Sequence, residues 1–407
     1  MKLLLPALLA ATCTATAASD WPQFRGPDGD GHSLAKNLPL SWDATNNVAW
    51  KTELPGKGWS SPALHKGRLY LTAAEDAGGN LSLRVLCHDA ATGKQLWTTE
   101  AIATPPVKHH AKNSQASPTP LADGDRLYVH FGHYGTACLD LAGKLVWKNT
   151  ELKYAPVHGN GGSPILVGNA LIFSADGGAD PSVIALDKAS GKLLWKVKRE
   201  TTATKRFSFS TPTLITVNGQ QQLISPGSGV VCALDPKTGA ELWRCRYGQG
   251  YSVIPKPVFG HGLIFLSSGY DKPVLHAIRA DGKGDVTDTH IAWTLEKGAP
   301  HTPSPLLVGN ELYVVSDGGI ASCLDAKTGK VHWSERVAGN YSASPLFADG
   351  KIYLQNETGI GVVLKPGTTF EKLAENPLGE KTLASYAVTD GALFIRSEQH
   401  LYRIGAK

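Results

Sequence analysis

Charge is scarce in this chain. Asp, Glu, Lys and Arg make up 18% of its 407 residues, and the formal net charge is only +5. No basic run interleaved with aromatics occurs, which argues against a nucleic-acid surface. A hydrophobic content of 42% excludes a disordered chain. No apolar stretch is long enough to span a bilayer as a helix. A Gly-x-Ser-x-Gly nucleophile turn, a Cys-x-x-Cys-His haem attachment and a pair of adjacent cysteines are all missing, so the common signatures of serine hydrolases and c-type haem proteins are absent. What the chain has instead is glycine and proline, 44 and 25 residues, as short strands joined by tight turns require.

Residues 1–18 read as an export signal. Lys2 supplies the charge, Leu3 to Ala11 the apolar stretch, and Ala15-Thr16-Ala17 the small-residue cleavage site. The mature protein is therefore expected in the periplasm or outside the cell. Lipid anchoring at Cys13 is the weaker alternative, because Thr12 is an unusual residue before a lipidated cysteine. Of the cysteines beyond the signal, Cys87, Cys138 and Cys323 each stand two residues before an Asp, where Ala185 and Ala233 stand in other repeats. They read as small buried hydrophobes. Cys232 and Cys245 flank the turn at Pro236-Lys237-Thr238-Gly239 and are a candidate disulfide across paired strands in an oxidising compartment.

Internal repetition is the dominant signal. The phrase Asp-x-x-Thr-Gly-x-x-x-Trp, with variations, ends at Trp97, Trp147, Trp195, Trp243, Trp293 and Trp333, about every forty to fifty residues, the length of a four-stranded propeller blade. A second phrase recurs in phase. Ser61-Pro62, Thr119-Pro120, Ser163-Pro164, Thr211-Pro212, Lys256-Pro257, Ser304-Pro305 and Ser344-Pro345 each precede an apolar pair, a Gly-containing turn and an alternating strand such as Leu312-Tyr313-Val314. Proline lacks an amide donor and marks the start of each innermost strand. Counting outermost strands at Trp50, the six tryptophans above and Phe370 gives eight. The Trp50 strand has no hairpin before it, and the last hairpin has no Trp strand after it. The expected fold is thus all-β, an eight-bladed β-propeller of four-stranded antiparallel blades whose N-terminal strand completes the C-terminal blade. Such closure removes the exposed edges. The expected division is a signal over 1–18, a leader over 19–41 and one propeller over 42–407.

This in-phase phrase resembles the pyrroloquinoline-quinone-like propeller repeat family, over essentially residues 42–407. The resemblance implies that each outer-strand Trp docks on a neighbouring blade. The family includes quinoprotein dehydrogenases and the propeller lipoprotein of the outer-membrane barrel-assembly machine. The leader Trp21-Pro22-Gln23-Phe24-Arg25-Gly26-Pro27-Asp28-Gly29-Asp30-Gly31 is similar to the segment that opens many exported members.

In a propeller, the connections between blades and the turns between each blade's second and third strands share one face. The residues before each Ser/Thr-Pro phrase should therefore ring the channel mouth: Trp59, His109, His110, Asn113, His158, Asn160, Arg206, Phe207, Tyr251, His301 and Tyr341. Polar groups and aromatics converging on a concavity are the default ligand site. His109 and His110 lack a Cys or carboxylate at ligand spacing, so no metal site is assigned. Asp28-Gly29-Asp30-Gly31 lacks the remainder of a calcium loop and reads as a turn. Gly-rich spots such as Gly132-His133-Tyr134-Gly135 precede no helix and read as turns, not phosphate cradles. Two functions follow. One is a monomeric binding or scaffolding propeller of the cell envelope, taking a protein, peptide or glycan at the channel mouth. The alternative is a quinoprotein-type dehydrogenase with pyrroloquinoline quinone and calcium, in which Trp59 or Phe207 would stack on the cofactor. The missing adjacent cysteines weigh against the second.

Overall fold

A computed structural model describes residues 20–406; the segment read as an export signal, with Cys13, lies outside the described residues. Eight antiparallel sheets follow one another in sequence, seven of four strands and one of five. Blade 3 shows the pattern: Ile165–Val167, Ala170–Ala175, Ser182–Asp187 and Leu193–Lys198 pair in order from the channel outward. The fifth strand, Gly284–Asp285, comes from an insertion in blade 5 and pairs in parallel with the outer strand of blade 4.

The repeated phrase is a docking device. In blade 1, Asp89 Oδ1 accepts hydrogen bonds from the Thr92 amide (2.8 Å) and hydroxyl (2.7 Å), fixing the turn into the outer strand. Gly93 follows at φ +73, and a β-carbon there would stand 2.7 Å from the ring of Trp50 on the preceding blade. Only glycine allows both the left-handed backbone and the indole's close approach. Five of the seven outer-strand Trp then donate Nε1 to the next blade's turn: Trp50 to Ala90 O, Trp97 to Leu141 O, Trp147 to Lys188 O, Trp293 to Ala326 O and Trp333 to Gly367 O, while Trp195 packs on Gly239 with its Nε1 unpartnered. Trp243 instead bonds Gln222 Oε1 of its own blade (2.8 Å), where the blade 5 insertion changes the turn. The docking expected from the family is present.

The ring closes as expected. Val48–Glu53 pairs antiparallel with His400–Gly405, so blade 8 combines both ends of the described chain. Inside, the Ser/Thr of the second phrase form a relay. The amides of Ser61, Thr119 and Ser163 donate to the hydroxyls of Thr119, Ser163 and Thr211 in the following blades. The relay resumes from Lys256 N to Ser304, then Ser344 and Ser385, and Ser385 N returns to Ser61 Oγ at 3.1 Å. It breaks once, where Lys256 takes the place of a hydroxyl.

Two expectations are corrected. The outer strand of blade 7 is Lys372–Pro377, and Ala374, paired with Val363, holds the Trp position. Phe370 lies before that strand and packs edge-on against Trp333, with ring centroids 5.1 Å apart. The Cys232–Cys245 bridge does not form; the five cysteines among the described residues are all free and buried. The register sets Val231 opposite Cys245 and Cys232 opposite Arg244, so the one-residue offset sends the two thiols to opposite faces of the sheet.

The leader belongs to the propeller's packing. Trp21 bridges to Leu64 in blade 1, Pro22 O accepts from Ala122 in blade 2, and Arg25 Nη2 donates to Pro305 O in blade 6. His32 bridges to Phe347 in blade 7, and Lys36 O accepts from Gly391 in blade 8. The segment therefore crosses the end of the channel on the side of the innermost hairpin turns, with Trp21 and Arg25 each only 2% exposed.

Candidate functional site

The central cavity, about 340 Å³, has the leader as its floor and the inter-blade connections as its rim. Phe24 forms the base, and Ser61, Thr119, Ser163, Ser304, Ser344 and Ser385 of the relay form the wall. Their hydroxyls are already engaged with neighbouring amides, so the wall is polar yet fixed in orientation.

The rim carries a run of six rings. His110 meets His158 edge-on at 5.4 Å, His158 meets Phe207 at 5.1 Å, and Phe207 meets Tyr251 at 5.3 Å. Tyr251 lies 6.4 Å from Tyr270, which packs on His301 at 4.6 Å. Five of these rings come from successive inter-blade connections, and Tyr270 comes from the blade 5 turn between second and third strands, so ring closure itself brings them side by side. Lys205 Nζ sits 3.9 Å above the Tyr251 ring and Lys381 Nζ 5.5 Å from Trp59. Lys112 reaches from the connection after blade 1 to Glu357 of blade 7 (2.8 Å), and Ser342 Oγ donates to the same carboxylate oxygen at 2.6 Å. Burial works against the Lys112 charge, but the Glu357 hydrogen bond and charge hold its pKa above the ordinary value. Burial, then the neighbouring His110, lowers that of His158, which favours its neutral ring.

Of the residues picked from sequence, Trp59, His110, Asn113, His158 and Tyr251 line the cavity. Phe207 is buried behind them as the link between His158 and Tyr251. His301 ends the run outside the cavity, its amide held by Asp317 Oδ2 at 2.7 Å. His109 is turned aside to Gln115 (2.8 Å). Asn160 is buried against Tyr154, His133 and Phe131 O, a structural role. Arg206 is exposed and bonds its own loop at Ala203 O. Tyr341 is wholly buried in the core between blades 6 and 7. Sequence reasoning missed Phe24, Lys112, Phe209 and Tyr270, which also line the cavity. Tyr270 could have been found by reading the second-to-third-strand turns together with the connections.

A calcium-held quinone does not fit this donor set. No Asp or Glu lines the cavity, and among the described residues no group of three or more His, Cys, Asp or Glu is placed to hold a metal ion. Calcium requires several oxygen ligands, carboxylates among them.

Comparison with known proteins agrees with the fold. The family model described as outer membrane protein assembly factor BamB matches residues 35–150, 81–281 and 283–369. Tetrathionate hydrolase of Acidithiobacillus ferrooxidans is 24% identical over 259 residues, 53% of this chain and 46% of that protein. Outer membrane protein assembly factor BamB of Moranella endobia is 24% identical over 249 residues, 60% of each. The chain thus spans about half to three-fifths of the length of these curated relatives. Among solved structures, a quinohemoprotein alcohol dehydrogenase from Pseudomonas putida HK5 superposes with a TM-score of 0.66 at 12% identity, covering 96% of this chain and 81% of that one. At such identity the likeness is one of fold.

Proposed function

Since this chain belongs to the propeller family described as outer membrane protein assembly factor BamB, we propose that it is an exported, non-catalytic binding protein of the cell envelope that holds a protein, peptide or glycan at the channel mouth. The run of rings from His110 to His301 supports this reading. Flat, rigid side chains offer large contact area at little entropic cost, and they surround a cavity of the size that ligand sites occupy. A relative named for outer-membrane assembly and the export signal read at residues 1–18 favour the envelope. No helix among the described residues is long and apolar enough to cross a membrane. The test replaces Trp59, His158 and Tyr251 together with Ala and repeats capture from envelope extract. The reading predicts loss of the specific partner with the fold intact; an unchanged partner set contradicts it.

A further inference from the structure

Beneath the cavity lie two cations that the propeller buries at a cost. Arg25 and Lys256 are each 2% exposed, and each is within two residues of a cavity wall, Phe24 and Ile254. Arg25 spends Nη2 on the carbonyls of Asp30 and Pro305 and leaves Nε and Nη1 without an acceptor. Lys256 runs to the leader, where a β-carbon on Gly29 would stand 2.0 Å from its Nζ. Likewise a β-carbon on Gly31 would stand 2.6 Å from Arg25 Nη2. The Asp28-Gly29-Asp30-Gly31 stretch, which by composition could suit a metal cation, is therefore where two protein cations rest. Asp30 is the one carboxylate whose charge acts on both, and its Oδ1 is already engaged by His32 N.

The position of Lys256 sharpens the point. Seven of the eight equivalent places carry Ser or Thr, and the hydroxyl relay breaks where Lys256 stands. A serine would complete the relay and remove a buried charge. Arg25 is desolvated with two nitrogens lacking an acceptor, and burial beside it pushes the Lys256 ammonium down to about 7, so the pair calls for a counter-charge.

We propose that Arg25 and Lys256, beneath the channel floor, form a binding site for an oxyanion, a sulfate, phosphate or carboxylate group. With Nη2 held by carbonyls, Arg25 offers a free N–H at Nε or Nη1 and Lys256 an ammonium, a charge-assisted pairing suited to an oxyanion's lone pairs. The inference concerns the floor and does not depend on the partner held at the rim.

The test uses the mature chain at constant ionic strength set with chloride. Sulfate and glucuronate are expected to raise the melting midpoint saturably, with glucose inert. Lys256→Ser is expected to weaken the oxyanion effect at least about tenfold while raising the midpoint without anion, since it completes the relay. A purely structural lysine would instead lower that midpoint and leave the anion effect unchanged, which would overturn the proposal. Selenate soaked into crystals of the unaltered chain gives an independent readout. An anomalous peak between Arg25 and Lys256 supports the site, and a peak only elsewhere, or none, overturns it. Trp59→Ala separates the sources: glucuronate binding weakened by it reports a carboxylate borne by a ligand filling the cavity, and sulfate binding insensitive to it reports a free anion.

Discussion

The indole of Trp147 lies on Gly191 of the next blade so closely that a β-carbon there would stand 2.4 Å from its ring, and its Nε1 donates to Lys188 O at 3.0 Å. The same clasp recurs between Trp50 and Gly93, Trp97 and Gly143, and Trp293 and Gly329, joining sheets that share no strand pairing. Gly191→Ala should cost about 2–4 kcal/mol, from left-handed strain together with overpacking against the indole. Gly168→Ala is the control, because Gly168 also has a positive φ but faces open space. It should cost about 1 kcal/mol. Urea unfolding of both variants measures the difference, which is the contribution of the clasp.

A buried ion pair joins blades 3 and 4. Arg199 Nε donates to Asp176 Oδ1 at 3.1 Å with both side chains almost fully buried, and its other nitrogens reach Ser225 O and Oγ. Ser208 Oγ donates to the remaining carboxylate oxygen at 2.6 Å. Replacing Arg199 with Met strands the carboxylate and should cost about 3–5 kcal/mol. Adding Asp176→Asn should recover part of the loss, and a double-mutant cycle in equilibrium unfolding reads the coupling.

Acid should loosen the fold through His130. Burial, reinforced by His133, lowers its pKa from 6.5 to about 3; the ring packs on Phe173 and its Nδ1 meets Thr136 Oγ1 at 2.8 Å. The unfolded chain binds this proton more readily. The contribution to stability is therefore fully present above about pH 6.5 and is lost as the pH falls toward 3, about 3–5 kcal/mol in all. His130→Gln should flatten the stability profile across that window, with unfolding midpoints at stepped pH as the measurement.

Thiol chemistry checks the corrected cysteine assignment. The five cysteines among the described residues are buried and unpaired, and burial raises the Cys232 and Cys245 thiols to about 11. The native protein should resist a thiol reagent, and the unfolded protein should release five equivalents without prior reduction. Three equivalents would restore the disulfide.

The fold was legible because the repeated phrase is itself structural. Its Asp and Thr make the turn, its Gly makes room, and its Trp fills that room, so periodicity reports geometry directly. Two failures show where this stops. Phe370 was given the Trp position because the aromatic type matched, whereas the strand register put Ala374 there. The cysteines were paired by distance along the hairpin, but facing is decided by an offset of one residue that sequence spacing does not encode. The rim was partly legible. Loop position identified Trp59, His158 and Tyr251, but whether a loop residue turns inward depends on local bonds such as those that bury Asn160. The floor was not legible, because the leader contacts blades hundreds of residues away, as Arg25 does at Pro305.

Site-directed photo-crosslinking tests the placement of the binding face most directly. A benzoylphenylalanine is introduced in place of Tyr251 on the rim, or in place of Thr92 in an exposed turn on the opposite face, and each protein is irradiated in intact envelopes. The account predicts a discrete adduct from the rim position, lost when His158 and Trp59 are changed to Ala, and none from position 92. A discrete adduct from position 92 with none from the rim would contradict it.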